Sequence, residues 1–231
     1  MPSPSSVFRV PISQARLYCI LDLGYTSEEN AETVTASLLA GGADLIQLRA
    51  KGHDLEKIRR VAEKIIPLCQ AAGVPFILND YPALAAQIGA DGVHIGQEDG
   101  NLAEARENAA RGAALAELDG SPASRPFIFG RSTHSLAQAR AALAEGFDCI
   151  GFGPLFPTPT KAGRPAIGLD EIAVMEAEVG MHIPAFCIGG ITQETLPAVL
   201  ASGARRVVIV SALLQAPNIQ VATAVAKQRL S

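Results

Sequence analysis

Apolar positions along the chain fall into two rhythms that alternate from end to end. One is a set of short, β-branched runs bounded by Gly, Pro or Asp, too brief to be helices. They cover 17–22, 44–49, 75–79, 92–96, 127–132, 148–153, 185–189 and 206–211. The other is a set of alanine-rich stretches with apolar residues every three or four positions, the spacing of one helix face. The clearest spans 55–71, where Leu55, Ile58, Val61, Ala62, Ile65 and Leu68 make one stripe. Capping residues mark helix starts at Thr26 or Ser27 ahead of Glu28 and Glu29, at Ser135, and at Thr192 with Glu194 behind it. Gly41, Gly73, Gly146 and Gly203 are the matching stops.

The phrases GGAD (41–44), IGAD (88–91), EGFD (145–148) and SGAR (202–205) recur where a helix closes and the next strand opens. Eight βα units of about 20–35 residues predict a parallel sheet with outer helices. In one domain of this size that is a single-domain (β/α)8 TIM barrel with a parallel eight-stranded core. An open, doubly wound sheet is the rival, and the absence of G-x-G-x-x-G after the first strand weighs against it. Residues 1–13 read as a flexible tail and 14–231 as the barrel. Across 101–126 the helix after the fourth strand runs long and ends in GSPASR (120–125), a loop-like insertion on the route back to a strand's N-terminal end, away from the usual active-site face.

Composition narrows the class. With 48% apolar and 18% charged residues the chain is globular. Nineteen basic against 23 acidic residues give a net charge of −4, which argues against nucleic acid as a partner. Four cysteines in apolar stretches, with no C-x-x-C pair, read as buried thiols of a cytoplasmic protein. No apolar run is long enough to cross a membrane, and the N-terminus lacks the pattern of a signal peptide.

In a barrel, the C-terminal ends of the strands build the active site. Those ends carry Asp22; Gln47, Arg49 and Lys51; Asn79 and Asp80; Gln97 and Asp99; Ser132, Thr133 and His134; Thr158, Thr160 and Lys161; Gly189 and Gly190; and Val210 and Ser211. Gly189-Gly190 with the helix opening at Val210-Ser211 has the makings of a phosphate site, since loops after strands 7 and 8 and a helix N-terminus serve that role in barrels. Arg49, Lys51 and Lys161 facing Asp80 and Asp99 suggest a diphosphate bridged by Mg2+, because hard oxygen ligands bind this ion and leave sites for phosphate oxygens. Taken singly, Asp80 also reads as a cap for a helix near Pro82, and Ser132 and Ser211 as simple caps. Such readings would all have to coincide at one end of one barrel. His94, inside a strand, reads as a packed core histidine; His134 reads either as an acid–base group or as a helix-start residue.

The strings QLRAK (47–51), LND (78–80), ADGVHIGQED (90–99), GRSTH (130–134), GFGPLFPTPTK (151–161), IGGI (188–191) and VSA (210–212) occur in this order. In them the chain resembles the thiamine-phosphate synthase (thiamine-phosphate pyrophosphorylase) family over about residues 15 to 228. The resemblance implies two substrates, a hydroxymethylpyrimidine diphosphate and a hydroxyethylthiazole phosphate, joined with release of pyrophosphate. It implies that Gln47 holds the aminopyrimidine, that Arg49, Lys51, Asn79 and Lys161 hold the diphosphate, and that Asp80 and Asp99 hold Mg2+. Ser132 matches the serine near the pyrimidine and diphosphate, and Thr158 and Thr160 match threonines at the thiazole phosphate or leaving group. Gly190, Val210 and Ser211 match the backbone that binds the thiazole phosphate. By this likeness Arg49, Lys51, Ser132 and Lys161 are the catalytic set, and the chain is a homodimer or monomer. Arg131 departs from the family, which has a small or apolar residue there, and as a strand neighbour of Ser132 it should point the other way. The rivals are a sibling thiazole tautomerase, which has a histidine where Pro154 stands, a ligand-binding barrel without turnover, and an unrelated phosphate-binding barrel isomerase.

Overall fold

A computed structural model describes residues 11–118, 127–158 and 165–231. Its strands are β1 (Leu17–Asp22), β2 (Leu45–Arg49), β3 (Phe76–Asn79), β4 (Gly92–Ile95), β5 (Ile128–Thr133), β6 (Cys149–Phe152), β7 (Ala185–Cys187) and β8 (Val207–Ile209). They form one closed barrel in chain order, every pair parallel, with β8 returning to β1. Outside lie α1 (Ala31–Ala40), α2 (Leu55–Ala72), α3 (Pro82–Gln87), α4 (Leu102–Leu118), α5 (Leu136–Glu145), α6 (Ile172–Met175), α7 (Leu196–Ala201), α8 (Ser211–Leu214) and α9 (Ile219–Arg229). The predicted (β/α)8 barrel is therefore present.

Strand alternation sorts the apolar residues into two cores. Tyr18, Ile20, Leu45, Ile77, Ile128, Cys149, Phe186 and Val208 fill the barrel interior. Their neighbours, among them Leu17, Cys19, Leu21, Ile46, Leu48, Phe76, Val93, Ile150 and Cys187, pack outwards against the helices. All four cysteines are buried and unbridged. Burial pushes the thiols of Cys69 and Cys149 up to about 12, so neither ionises at neutral pH.

The recurring G-x-D phrase clamps the barrel floor. The Asp44 carboxylate accepts the Arg16 and Leu17 N–H groups (2.9 and 3.0 Å) and pairs with Lys227. Asp91 accepts the Phe76 N–H (2.9 Å) and Asp148 that of Phe129 (2.8 Å). Each acid thus satisfies a donor on the preceding strand. In the fourth unit Arg205 occupies the place and pairs with buried Glu176 at 2.7 Å.

Local expectations met mixed outcomes. Ser135 caps α5 by accepting the Gln138 N–H, and Gly73 and Gly146 close α2 and α5 in the left-handed conformation. The helix expected from Thr26 or Ser27 begins only at Ala31, because the Asp22 carbonyl takes the Tyr25 and Thr26 N–H groups and Ser27 bonds the Glu29 carboxylate. Leu55 leaves the buried stripe of α2 and is 49% exposed, one turn ahead of the first buried position, Ile58. The run expected to end at Ser211 stops at Ile209, and Ser211 opens a separate four-residue helix, α8. The last helix, α9, starts anew at Ile219 under its own cap, Asn218, which accepts the Val221 N–H at 3.0 Å. Of the expected tail, residues 1–10 lie outside the described residues. Residues 11–13 are docked on the barrel: Ile12 packs against the interior core and Arg206 Nη2 donates to the Ser13 carbonyl at 2.8 Å. No helix among the described residues is long and apolar enough to cross a membrane.

Candidate active site

A cleft of about 810 Å3, counting the open solvent at its mouth, sinks into the C-terminal end of the barrel. Its floor is built by inward residues of successive strands. Gln47 Nε2 donates to the Tyr18 hydroxyl at 2.6 Å, and both side chains are buried. Tyr18 meets Phe186 and His94 edge-on, with ring centres 5.3 and 6.4 Å away. Burial holds the Tyr18 hydroxyl well above its usual range, so it stays neutral. His94 Nε2 lies 3.1 Å from Ser132 Oγ across the β4–β5 pair. The ring fits because the adjacent inward positions are Gly130 and Gly151; a Cβ at 130 would stand 2.5 Å from His94 Nδ1.

Charged groups stand at the same strand ends, and of Asp22, Arg49, Lys51, Asp80 and Asp99 only Arg49 lines the cleft itself. Arg49 pairs with buried Asp22 at 2.6 Å, rather than facing Asp80 and Asp99 as the strand-end pattern suggested. Asp22 also accepts the Gly24 N–H, which fixes its carboxylate. Lys51 does reach Asp80, at 2.9 Å. Asp80 and Tyr81 both adopt left-handed backbone (φ 60° and 52°), a conformation that costs non-glycine residues energy and gathers at functional sites. That turn sends the Asp80 carboxylate to Lys51 and Asp99, and no side chain caps α3, so Asp80 is not a capping residue.

Asp80 and Asp99 share a hydrogen bond. Burial, together with the neighbouring Asp99, raises the Asp80 carboxyl above its ordinary range against the pull of Lys51. Asp99 is also pushed up by burial, but the Gly96 N–H, the bond from Asp80 and the charges of Lys51 and Arg131 outweigh this and hold it below. Two carboxylates brought this close repel each other when both ionise. A hard divalent cation relieves that repulsion, so the donor set fits Mg2+. No group of three or more His, Cys, Asp or Glu side chains with metal-binding geometry occurs among the described residues, so such an ion would fill its remaining positions with water or substrate oxygen.

The opposite wall is mainly backbone. Gly189 and Gly190 have φ of 102° and 65°, and a Cβ at 189 would sit 2.4 Å from Pro154 Cβ. This close approach lets the loop after β6 dock on the loop after β7, through Leu155 N–H to Ile188 O (2.8 Å) and Phe156 N–H to Gly189 O (3.0 Å). Thr158, Gly190, Val210 and Ser211 line this side, and Arg49, Asn79 and Ser132 line the other. The Ser211 side chain caps no helix. His134 lines the cleft, its ring bonded to the Gly153 carbonyl and its N–H to Gln138. Thr160 and Lys161 lie outside the described residues. Tyr18, His94, Ile188 and Pro154 join the lining without having been singled out for it. Strand alternation could have found the first two, since Tyr18 and His94 are polar residues at inward positions of β1 and β4.

An eight-stranded parallel barrel with its cleft at the strand C-termini defines a (β/α)8-barrel enzyme. Comparison gives the family: the one described as Thiamine monophosphate synthase matches residues 17–117 and 119–213. A thiamine-phosphate synthase of Thermus thermophilus is 40% identical over 217 residues, covering 93% of this chain and 97% of the relative. One from Mycolicibacterium smegmatis is 42% identical over 216 residues, covering 90% and 88%. Among solved structures, the thiamine phosphate pyrophosphorylase of Pyrococcus furiosus superposes with a TM-score of 0.78 at 27% identity, covering 94% of this chain and 96% of that one. The chain belongs to the thiamine monophosphate synthase family, and so to the transferases.

Proposed function

We propose that the protein joins a hydroxymethylpyrimidine diphosphate to a hydroxyethylthiazole phosphate, giving thiamine phosphate and pyrophosphate. The observation that carries this reading is the convergence of Lys51, Asp80 and Asp99 next to the cleft-lining residues Arg49 and Asn79, with glycine backbone on the far wall of that cleft. A cation-and-acid cluster suits a diphosphate, and open backbone suits a separate phosphate.

Gln47 gives its amide N–H to Tyr18, which commits its carbonyl oxygen to accept from the pyrimidine amino group. The Tyr18, His94 and Ile188 surfaces enclose the ring and exclude water from it. Ser132, held opposite His94, offers its hydroxyl to the pyrimidine side of the diphosphate. Arg49 and Lys51, with Lys161, neutralise the diphosphate, and Asn79 donates its amide N–H to it. Mg2+ held by Asp80 and Asp99 would supply Lewis acidity to the leaving group.

Departure of pyrophosphate leaves a cation that the electron-rich aminopyrimidine delocalises. Charge develops on the departing oxygens, where Arg49, Lys51 and Lys161 stabilise it. The thiazole nitrogen, held by its phosphate at Gly190, Val210 and Ser211 with Thr158 and Thr160 beside it, then attacks. That nitrogen carries a free lone pair, so this step needs no general base. The buried free thiols agree with a cytoplasmic location.

The test is an assay of pyrophosphate and thiamine phosphate with both substrates, run with Mg2+ and with a chelator. Both products appearing together, only with both substrates and metal, supports the reading. Isomerisation of a thiazole precursor without pyrophosphate overturns it in favour of the tautomerase sibling; ligand binding without any product points to a barrel that lost turnover.

A further inference from the structure

Arg131 sits beside Ser132 on β5 but faces the helix layer, as its strand position demands. Its residue is only 9% exposed. Burying a guanidinium costs free energy unless partners compensate. Among the described residues those partners are the Gly100 carbonyl, 2.5 Å from Nη1, and the face of Phe147, with its centre 5.4 Å from the guanidinium carbon. To these contacts the nearby Asp99 carboxylate adds its opposite charge, so two of the three partners of this buried guanidinium lie at Asp99 and Gly100.

The carbonyl it grips belongs to the residue after Asp99. Asp99 is exposed, on a loop flanked by Gly96 and Gly100, and Gly100 is left-handed (φ 93°). Left alone, such a segment has many conformations to choose from. Four bonds remove that freedom. Gly96 N–H binds Asp99 Oδ2 (2.8 Å), Gln97 Nε2 binds Ser132 O (2.6 Å), Arg131 binds Gly100 O, and Leu102 N–H binds Glu145 Oε1 (2.6 Å). Two of the four tie the loop to adjacent residues of β5, and the Arg131 bond is the nearest to Asp99 in sequence from outside the loop.

We propose that Arg131 is a positioning residue for divalent-cation binding: it anchors the loop at Gly100 and so keeps the Asp99 carboxylate beside Asp80. The proposal rests on the reading that Asp80 and Asp99 hold the cation. Groups that orient a metal ligand are worth about 10–100-fold in metal affinity, which sets the expected effect.

The experiment titrates the full-length protein with Mn2+, followed by electron paramagnetic resonance, in the wild type, Arg131→Met, Arg131→Lys and Asp99→Asn. Arg131→Met keeps the stem over Phe147 and removes the donor. It should weaken Mn2+ binding about tenfold, and Arg131→Lys should recover most of that, about a threefold loss remaining. The melting temperature of metal-free Arg131→Met should not fall, because replacing a buried charge with an apolar side chain is often neutral or stabilising. In turnover, the Mg2+ concentration for half-maximal rate should rise about tenfold while kcat at saturating Mg2+ is retained. Should Arg131→Met not fold, Arg131→Leu, which also lacks a donor, carries the same expectation. Unchanged Mn2+ affinity in Arg131→Met, with Asp99→Asn clearly weakened, overturns the proposal and leaves the metal site standing. Equal Mn2+ binding by wild type and Asp99→Asn overturns the metal site itself, and the proposal with it.

Discussion

Gly130→Ala adds one methyl group inside the barrel and should disturb the cleft more than its size suggests. Gly130 has no positive φ, so alanine is allowed by the backbone and only space opposes it. The new Cβ would lie 2.5 Å from His94 Nδ1, 3.2 Å from His94 Cγ and 3.1 Å from Cys149 Sγ, where ordinary contact begins at 3.4 Å. The ring must therefore move by about 0.9 Å at Nδ1, and its far edge is the one bonded to Ser132. Overpacking of this kind costs roughly 1–3 kcal/mol, and loss of the His94–Ser132 bond adds about 1 kcal/mol. For a chain of this size the sum corresponds to a drop in melting temperature of roughly 5–15 °C. The KM for the pyrimidine diphosphate should rise with it, by about tenfold for each 1.4 kcal/mol lost from binding. Calorimetry and initial rates measure both. A double-mutant cycle identifies the cause: in a His94→Ala background the Gly130→Ala penalty should shrink to less than about 1 kcal/mol. A melting temperature within about 2 °C of wild type and an unchanged KM would refute the packing argument.

Asp80→Asn and Asp99→Asn should move stability in opposite directions when no divalent cation is present. The Asp80 carboxyl is raised above its ordinary 3.8, so its contribution is present below that pH and lost as pH rises through the folded value; Asp80→Asn should melt higher at pH 7, with the difference vanishing towards pH 4. Asp99 is lowered, so its contribution is present above 3.8 and lost as pH falls through the folded value; Asp99→Asn should melt lower at pH 7. Melting curves across pH 4 to 8 check both signs, and both variants should lose most turnover. Asp91→Ala leaves the buried Phe76 N–H without its acceptor, which should cost about 1–3 kcal/mol in denaturant unfolding. Because that clamp lies on the barrel floor, KM for both substrates should stay at the wild-type value, which steady-state kinetics checks.

The barrel was legible because each βα unit carries its own signal. A short β-branched run, a helical stripe and a closing glycine can be read within about 30 residues, and eight such units leave few arrangements. The candidate site was legible for the same reason, since Gln47, Arg49, Asn79, Ser132 and Ser211 stand at strand ends and all line the cleft. Pairings across the barrel were not legible. Whether Arg49 meets Asp22 or the Asp80–Asp99 pair depends on strand register and rotamer, which no local pattern encodes. His94 is the packed, hydrogen-bonded histidine its strand position suggested, but that it also lines the cleft shows only once Gly130 on β5 and Gly151 on β6 reveal the room made for it. A helix was expected to open at Val210-Ser211 and does open at Ser211; what was missed is that it ends at Leu214 and that the last helix starts anew at Ile219. The acids of the G-x-D phrases were visible as repetition, but their role emerged only once the preceding strand's N–H groups lay beside them.

The account turns on a diphosphate held at the Lys51–Asp80–Asp99 cluster with the help of a divalent cation. The most direct test is calorimetric titration of the protein with pyrophosphate, with Mg2+ and with chelator, in the wild type and Asp99→Asn. Binding that requires Mg2+ and is lost in Asp99→Asn is the predicted result. Pyrophosphate binding that is equally tight in chelator, or unaffected by Asp99→Asn, would contradict it.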